Sequence, residues 1–366
     1  MEFPEKVLLR PKDFTPSLKG WKIQGIFNPG AIRLLDKKIV LYVRVSESVH
    51  LEKGKFIHCP IVMPGGEYQL GSKKINKEII EKHEGNLLYF KSGECRLTTM
   101  SHFKKVILDK TGMKVKSIEK KPIFTGLSTE GNYGVEDPRL VKVGNKYLMT
   151  YVSVSSTEGV STALAVSKDL IKWKRKGIIF RTQNKDAIIF PEKIDGEYVA
   201  FHRPDSSFVF SKPSIWIAYS PNLTYWGRDK SVLRPREGSW DSTKVGTGPP
   251  PIKTKKGWLI IYHGIKEVQE GKIKRLVYSA GAALLDLKHP TKILARSPKD
   301  APLFKPNPEH IRKGFTGNVV FPTGIVPTLD KKSVLVYSGE ADMLISVRKI
   351  KIQDILDSME YYTEKK

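Results

Sequence analysis

Gly134-Val135-Glu136-Asp137-Pro138-Arg139-Leu140 sets two acids, a proline and an arginine ahead of a strand pattern, Lys146-Tyr147-Leu148-Met149-Thr150-Tyr151-Val152. Pro138 fixes its own φ and biases Asp137 towards an extended conformation. Glu136 and Asp137 are therefore expected in a turn at the edge of a sheet. A carboxylate held rigidly at a strand end is well placed for acid/base chemistry. An isolated Asp-Pro is more often an ordinary surface turn. What distinguishes this one is that the arrangement recurs.

Each recurrence is a proline-containing turn, a short aliphatic stretch, a polar turn and an apolar strand. The first runs from Asn28-Pro29-Gly30 to Ile39–Arg44, the second is the stretch quoted above, and the third runs from Phe190-Pro191-Glu192-Lys193 to Tyr198–Arg203. The fourth runs from Gly248-Pro249-Pro250-Pro251 to Trp258–His263, and the last from Phe321-Pro322-Thr323 to Ser333–Tyr337. Each reads as a β-hairpin. Two are followed by a similar turn, Ser167-Lys168-Asp169-Leu170 through Trp173 and Ser220-Pro221-Asn222-Leu223 through Trp226. All-strand repeats of this period indicate a propeller, and five copies indicate five blades. The expected fold is thus all-β, a five-bladed β-propeller with a central active-site pocket.

The prolines fall at 29, 138, 191, 251 and 322, so the first interval is about twice the others. An insertion is expected around 46–100, with a short surface helix at 73–82. Residues 352–362 are expected to form a short helical tail. The whole chain, 1–366, then forms one catalytic domain.

Composition narrows the partners. Lys and Arg number 63 against 38 Asp and Glu, a formal charge of +25 over 366 residues. That balance favours an anionic partner. The lysines form no long block, no nucleic-acid-binding signature is present, and nucleic acid is not the expected partner. Two distant cysteines, Cys59 and Cys95, suggest a reducing compartment and no disulfide framework. The N-terminus lacks the order of a signal peptide and no apolar run approaches a membrane span, so a cytoplasmic location without membrane contact is expected. No metal and no cofactor is expected. A homo-oligomer is left open.

In a propeller the inner strand ends face one mouth. The positions that would share it are Asn28 and Arg44; Glu136 and Asp137; Lys193, His202 and Arg203; Lys244 and His263; and Asp342. Arg96, in Arg96-Leu97-Thr98-Thr99-Met100-Ser101-His102, could also reach it. Arg203, Lys244 and His263 come from consecutive repeats and would suit phosphate or sulfate. Alternatively these cations pair with Asp205 and Asp241. Lys244-Val245-Gly246-Thr247-Gly248 lets backbone approach a ligand without being a Walker loop. If phosphate is the nucleophile in glycoside cleavage, one carboxylic acid suffices, and Asp137 is the candidate. Glu136 would bind sugar hydroxyls or brace the turn. Asp342 would accept sugar hydroxyls or cap its turn. Trp173, Trp226, Trp240 and Trp258 read as packing.

The segments FNPGAIRL, YGVEDPRL, NKDAIIFPEKIDGEYVAFHRP, WDSTKVGTGPPPIKTKKGWLIIYHG, AGAALLDLKHPTKILARSP and NVVFPTGIV resemble glycoside hydrolase family 130, the β-mannoside phosphorylases. The resemblance spans about Asn28 to Val347. It implies a five-bladed propeller and inverting phosphorolysis, giving α-mannose 1-phosphate and a shortened acceptor. Inorganic phosphate is then a co-substrate and a β-mannooligosaccharide the partner. The resemblance makes Asp137 the proton donor, acting through a sugar hydroxyl. It makes Arg203, Lys244 and His263 phosphate ligands, with Lys185 also facing phosphate. Asn28, Arg44, Glu136 and Asp342 become sugar contacts. YGVEDPR and RLTTMSH look most like the branch acting on β-1,2-linked mannooligosaccharides, while SGEADMLISV and KGFTGNVV depart from the family on the acceptor side. The alternatives are a hydrolase or mannosyltransferase on the same scaffold, or a non-catalytic polyanion-binding propeller.

Overall fold

The structure, a computed structural model, describes residues 3–50, 54–65, 68–205, 208–311 and 317–362. It is nearly all β, with four large, mainly antiparallel sheets and two small ones. The first large sheet joins Trp21–Arg33, Ile39–Val49, Thr99–Leu108 and Val115–Ile118 to Gly134–Val143, Lys146–Ser155, Gly159–Ser167 and Lys174–Phe180. One parallel bridge, Gly134 to Ser101, connects its two halves. The next comprises Asn184–Ile189, Tyr198–Pro204, Ile215–Ser220 and Gly227–Leu233. A third is built on the long hairpin Trp258–Glu270 and Ile273–Leu285, with Lys244–Thr247 on its inner edge. In the last, Val320–Pro327, Ser333–Glu340 and Leu344–Lys351 are completed by Glu5–Leu9 from the other end of the chain.

Five apolar clusters lie between successive strand groups. Tyr42 and Phe103 meet Leu140 and Met149; Leu148 and Leu164 meet Ala187 and Ala200; Ile188 and Phe201 meet Val245 and Trp258. Leu259 and Ile261 meet Val320 and Val336, and Leu335 and Tyr337 meet Leu41 and Val43. Sheets covered on both faces need near-continuous apolar strands. Ser333–Glu340 is buried at every position, and its stretch Val334–Tyr337 is wholly apolar. Each buried Val, Leu or Ile adds about 1.5–3 kcal/mol.

All five repeat hairpins form, but their prolines do not occupy equivalent places. Pro29, Pro138 and Pro322 lie inside inner strands at register shifts, not in turns. Proline cannot donate to a ladder, so an edge strand or bulge accommodates it. Pro191 lies instead in the connection between Asn184–Ile189 and Tyr198–Pro204. The inner strands touch one another. Thr323 Oγ1 donates to the Pro29 carbonyl at 3.0 Å, and Arg139 Nε donates to the Gly248 carbonyl at 2.8 Å. A Cβ on Gly324 would lie 2.8 Å from the Pro29 oxygen, so this approach requires glycine.

The insertion carries Phe56–Val62 paired with Leu70–Asn76, then Ile80–Glu84, Leu87–Phe90 and Cys95–Leu97. The helix expected at 73–82 is replaced by strand, one 3-10 turn at Lys77–Ile79, and strand again. Asn76 caps that turn by accepting from the Glu78 N–H, and its neighbours Ile75, Ile79 and Ile80 are β-branched. At the C-terminus, helix Ile352–Asp357 buries Ile355 and Leu356. Glu360–Tyr361 then pairs with Ile293–Arg296. Among the described residues no helix is long and apolar enough to cross a membrane.

Candidate active site

Three inner strands carry a bulge at the same level, between Phe27 and Gly30, Glu136 and Arg139, and Lys185 and Ile188. In each bulge one residue takes left-handed backbone: Asn28 at φ 38°, Asp137 at φ 50° and Asp186 at φ 54°. Asn and Asp tolerate that region better than other side chains. Asp137 is therefore neither extended nor in a terminal turn. The bulge overrides the bias of the following proline.

These bulges line one cavity of about 200 Å³, with Arg44, Lys185, Arg203, Tyr278, Val319, Phe321 and Asp342. On one side is an acid. The Asp137 carboxylate accepts from Asn28 Nδ2 at 2.8 Å and from Arg44 Nη1 at 3.0 Å. Arg44 Nη2 reaches Glu136 at 2.5 Å and Nε reaches Ser101 Oγ at 3.0 Å. One guanidinium thus holds both acids, which the bulge brings to the same side of the strand. Glu136 itself lies outside the cavity lining. Burial raises the affinity of Asp137 for its proton. The cations Arg44 and Arg139 and the Asn28 amide outweigh burial, holding the carboxyl below the usual aspartate range.

Opposite lies a cluster around Asp186. Arg203 Nη1 is 3.2 Å from its carboxylate, His263 Nε2 is 3.5 Å away, and Arg139 Nη2 is 3.8 Å away. Burial works against the Asp186 charge, but Arg203, Lys185 and Arg139 together lower its pKa. Burial pushes the His263 imidazole down to about 3, so it is neutral near pH 7. Both Asp186 oxygens, both His263 ring nitrogens, Arg203 Nε and Arg139 Nη2 are buried without a hydrogen-bond partner. Such atoms each cost about 1–3 kcal/mol, and their concentration at one cavity marks a place where a polar ligand would be held. Gly246 packs against this cluster: a Cβ there would lie 2.4 Å from His263 Cε1 and 2.5 Å from the Asp186 carboxylate.

The cavity thus unites Asn28, Arg44, Asp137, Lys185, Arg203 and Asp342. Lys244 lies outside the lining with its side chain 35% exposed, 3.7 Å from Asp205, which is 3.5 Å from Arg203. His263 is wholly buried beside Asp186, its ring tilted by 34° against that of Phe321 with centroids 4.2 Å apart. Asp241, the other acid considered as a partner for these cations, instead pairs with Arg236 and Arg296.

Three expected contacts lie elsewhere. Lys193 falls in the turn at the end of its hairpin remote from Lys185 and Arg203, with Nζ 4.4 Å from the Tyr198 ring centroid. His202 points away from the cavity because strand neighbours alternate faces. It binds Asn184 at 2.8 Å and Asp229 at 2.9 Å, and stacks 4.1 Å from Phe180. Arg96 lies in the insertion, 5.8 Å from the Tyr133 ring centroid, and does not line the cavity. The tryptophans pack as expected, with Trp173, Trp240 and Trp258 buried and Trp226 partly so.

Asp186, Arg139, Tyr278 and Phe321 were not foreseen. Lys185-Asp186 in NKDAII occupies the place of Glu136-Asp137 in VEDPRL. Aligning the third repeat on Pro191 conceals that correspondence.

A family model described as β-1,4-mannooligosaccharide phosphorylase, of glycoside hydrolase family 130, matches residues 74–361. A β-1,2-mannobiose phosphorylase of Listeria innocua is 33% identical over 98% of both chains. A 1,2-β-oligomannan phosphorylase of Thermoanaerobacter sp. is 39% identical, over 64% of this chain and 74% of its own length. The solved structure of a Listeria innocua β-1,2-mannobiose phosphorylase in complex with β-1,2-mannobiose superposes with a TM-score of 0.82 at 32% identity, over 98% of this chain and 99% of that one.

Proposed function

This chain belongs to glycoside hydrolase family 130, and from that premise we propose that it phosphorolyses β-mannosides, specifically β-1,2-mannooligosaccharides, with inversion. The observation that carries the reading is the division of one small cavity between an acid, Asp137, and a cluster of cations, Lys185 and Arg203, with Lys244 joined to Arg203 through Asp205. The β-1,2 linkage is favoured by the relative and the solved structure that match over nearly the whole chain.

In this mechanism a phosphate oxygen attacks the anomeric carbon and forms the new C–O bond as the glycosidic C–O bond breaks. Lys185, Arg203 and Lys244 bind the anion, and Asp137 supplies the proton that leaves with the acceptor oxygen. Inversion turns the β-mannoside into α-mannose 1-phosphate. The lowered pKa of Asp137 in the free protein has a consequence. Its proton must be taken up with substrate, and an anion at Arg203 favours that uptake by like-charge repulsion.

We also infer a five-bladed propeller. Dividing the largest sheet at its single bridge yields five antiparallel groups, and the five apolar clusters link them in cyclic order.

A hydrolytic reading draws on Asp186, a second ionised carboxylate in the same cavity that could activate water. Product analysis on β-1,2-mannobiose with and without phosphate separates the two. Phosphorolysis gives mannose 1-phosphate and mannose only when phosphate is present. Free mannose at the same rate without phosphate would refute it.

A further inference from the structure

We infer that Asp186 is a specificity-determining residue of the phosphate site: its carboxylate accepts a hydrogen bond from the P–OH of hydrogen phosphate and so rejects unprotonated tetrahedral dianions such as sulfate. The inference rests on the phosphorolytic reading above.

A buried carboxylate is an odd component of an anion site. It lowers the net positive charge offered by Arg203, Arg139 and Lys185 and repels any ligand that brings only acceptors. Yet Asp186 lines the cavity, its side chain is 1% exposed, and neither oxygen has a hydrogen-bond partner. The groups around it are Arg203 at 3.2 Å, neutral His263 at 3.5 Å and Arg139 at 3.8 Å, with Lys185 beside it on the same strand. These cations keep it ionised, so it can only accept.

An ionised acceptor lining an anion site discriminates by protonation state. Phosphate and arsenate carry at least one proton near pH 7 and can donate it to Asp186. Sulfate has the same shape and charge but no proton, and would set acceptor against acceptor. A site whose buried polar groups require a donor rejects the analogue lacking one far more strongly than it rejects a small change in size.

Charge balance alone offers a simpler role. A carboxylate that merely offsets neighbouring cations would alter the binding of phosphate and sulfate alike. A hydrogen-bond acceptor alters their ratio. In Asp186→Asn the side-chain carbonyl still accepts from P–OH, while the new N–H₂ can donate to sulfate.

The test is the initial rate of mannose 1-phosphate formation by the full-length protein, with sulfate as a competing anion and arsenate as an alternative co-substrate. In the wild type, sulfate should inhibit with a Ki at least about tenfold above the KM for phosphate, the lower range for a hydrogen bond to a charged group. Arsenate should be accepted. In D186N the KM for phosphate should change by less than about tenfold, while the ratio of sulfate Ki to phosphate KM falls by about tenfold or more. D186S, whose hydroxyl can also donate, replaces D186N if that variant does not fold. Sulfate inhibiting the wild type at concentrations near the phosphate KM would overturn the inference. So would a variant that weakens both anions equally. Mannose release needing neither phosphate nor arsenate would instead defeat the phosphorolytic reading.

Discussion

Asn28 donates its side-chain amide to the Asp137 carboxylate at 2.8 Å, across 109 residues of chain. The bond joins two bulges on neighbouring inner strands and fixes which way the acid faces. Asn28→Ala would remove a hydrogen bond to a charged group, worth about 1.5–3 kcal/mol. The variant should fold, lose roughly tenfold or more in kcat, and show a raised Asp137 pKa. At saturating phosphate, the limb on which activity falls with rising pH then moves to higher pH. An unchanged pH profile would show that Asn28 does not tune the acid.

Asp137→Asn should lower turnover of β-1,2-mannobiose by about 10²–10⁴-fold, the usual range for general acid catalysis. A β-mannoside with a good leaving group, such as dinitrophenolate, needs no protonation. The variant should therefore recover most of its rate on that substrate. Equal losses on both substrates would assign Asp137 a role other than proton donation.

The two cations that touch Asp205 differ in burial, and their contributions should differ accordingly. Arg203 is 5% exposed in its side chain and Lys244 is 35% exposed. Solvent weakens the field of an exposed charge. Arg203→Ala should raise the KM for phosphate by about two orders of magnitude, and Lys244→Ala by about one. The reverse order in phosphate titrations would move the anion towards Lys244.

Away from the cavity, Glu47 is buried with His102 and Lys104 at 3.3 Å each and accepts from Ser17. Burial alone would raise its pKa. The His102 and Ser17 hydrogen bonds and the Lys104 charge instead bring it from 4.5 down to about 2. A depressed carboxylate contributes stability above its unfolded pKa and loses it as pH falls through the folded value. The contribution is on the order of 3 kcal/mol, lost between about pH 4.5 and 2. Denaturant melts of Glu47→Gln should show that deficit at pH 7 and a smaller one near pH 3. An equal deficit at both pH values would mean that packing, not charge, is what the variant lost.

The repeat was legible in the sequence because strands covered on both faces must be apolar along their length, as in Tyr147–Val152 and Ile39–Val43. The cation Arg203 was legible because it closes such a strand, Tyr198–Pro204, and the acid Asp137 because it stands in the Glu136–Arg139 motif just ahead of one. Bulges were not, since one extra residue leaves no periodic trace. Asp186 was therefore missed, and Lys193 was assigned to the cavity through Pro191. The choice of both His202 and Arg203 shows a second limit. Alternation allows only one of two neighbours to face the ligand, and the register in the sheet decides which one.

Glu5–Leu9 completes the sheet whose turn carries Asp342 by pairing with Leu344–Lys351. During synthesis this gives the strand a long wait. Its ion pair from Glu5 to Arg348 spans 343 residues. At about 5–20 residues per second the N-terminal strand spends roughly 20–70 s on the ribosome before its partner is made. Meanwhile Val7, Leu8 and Leu9 present an unpaired, apolar edge of the kind that recruits other chains. The last sheet can close only once Leu344–Lys351 has been made. A nascent chain stalled before residue 344 should be cut by protease near its N-terminus, whereas the released protein should resist.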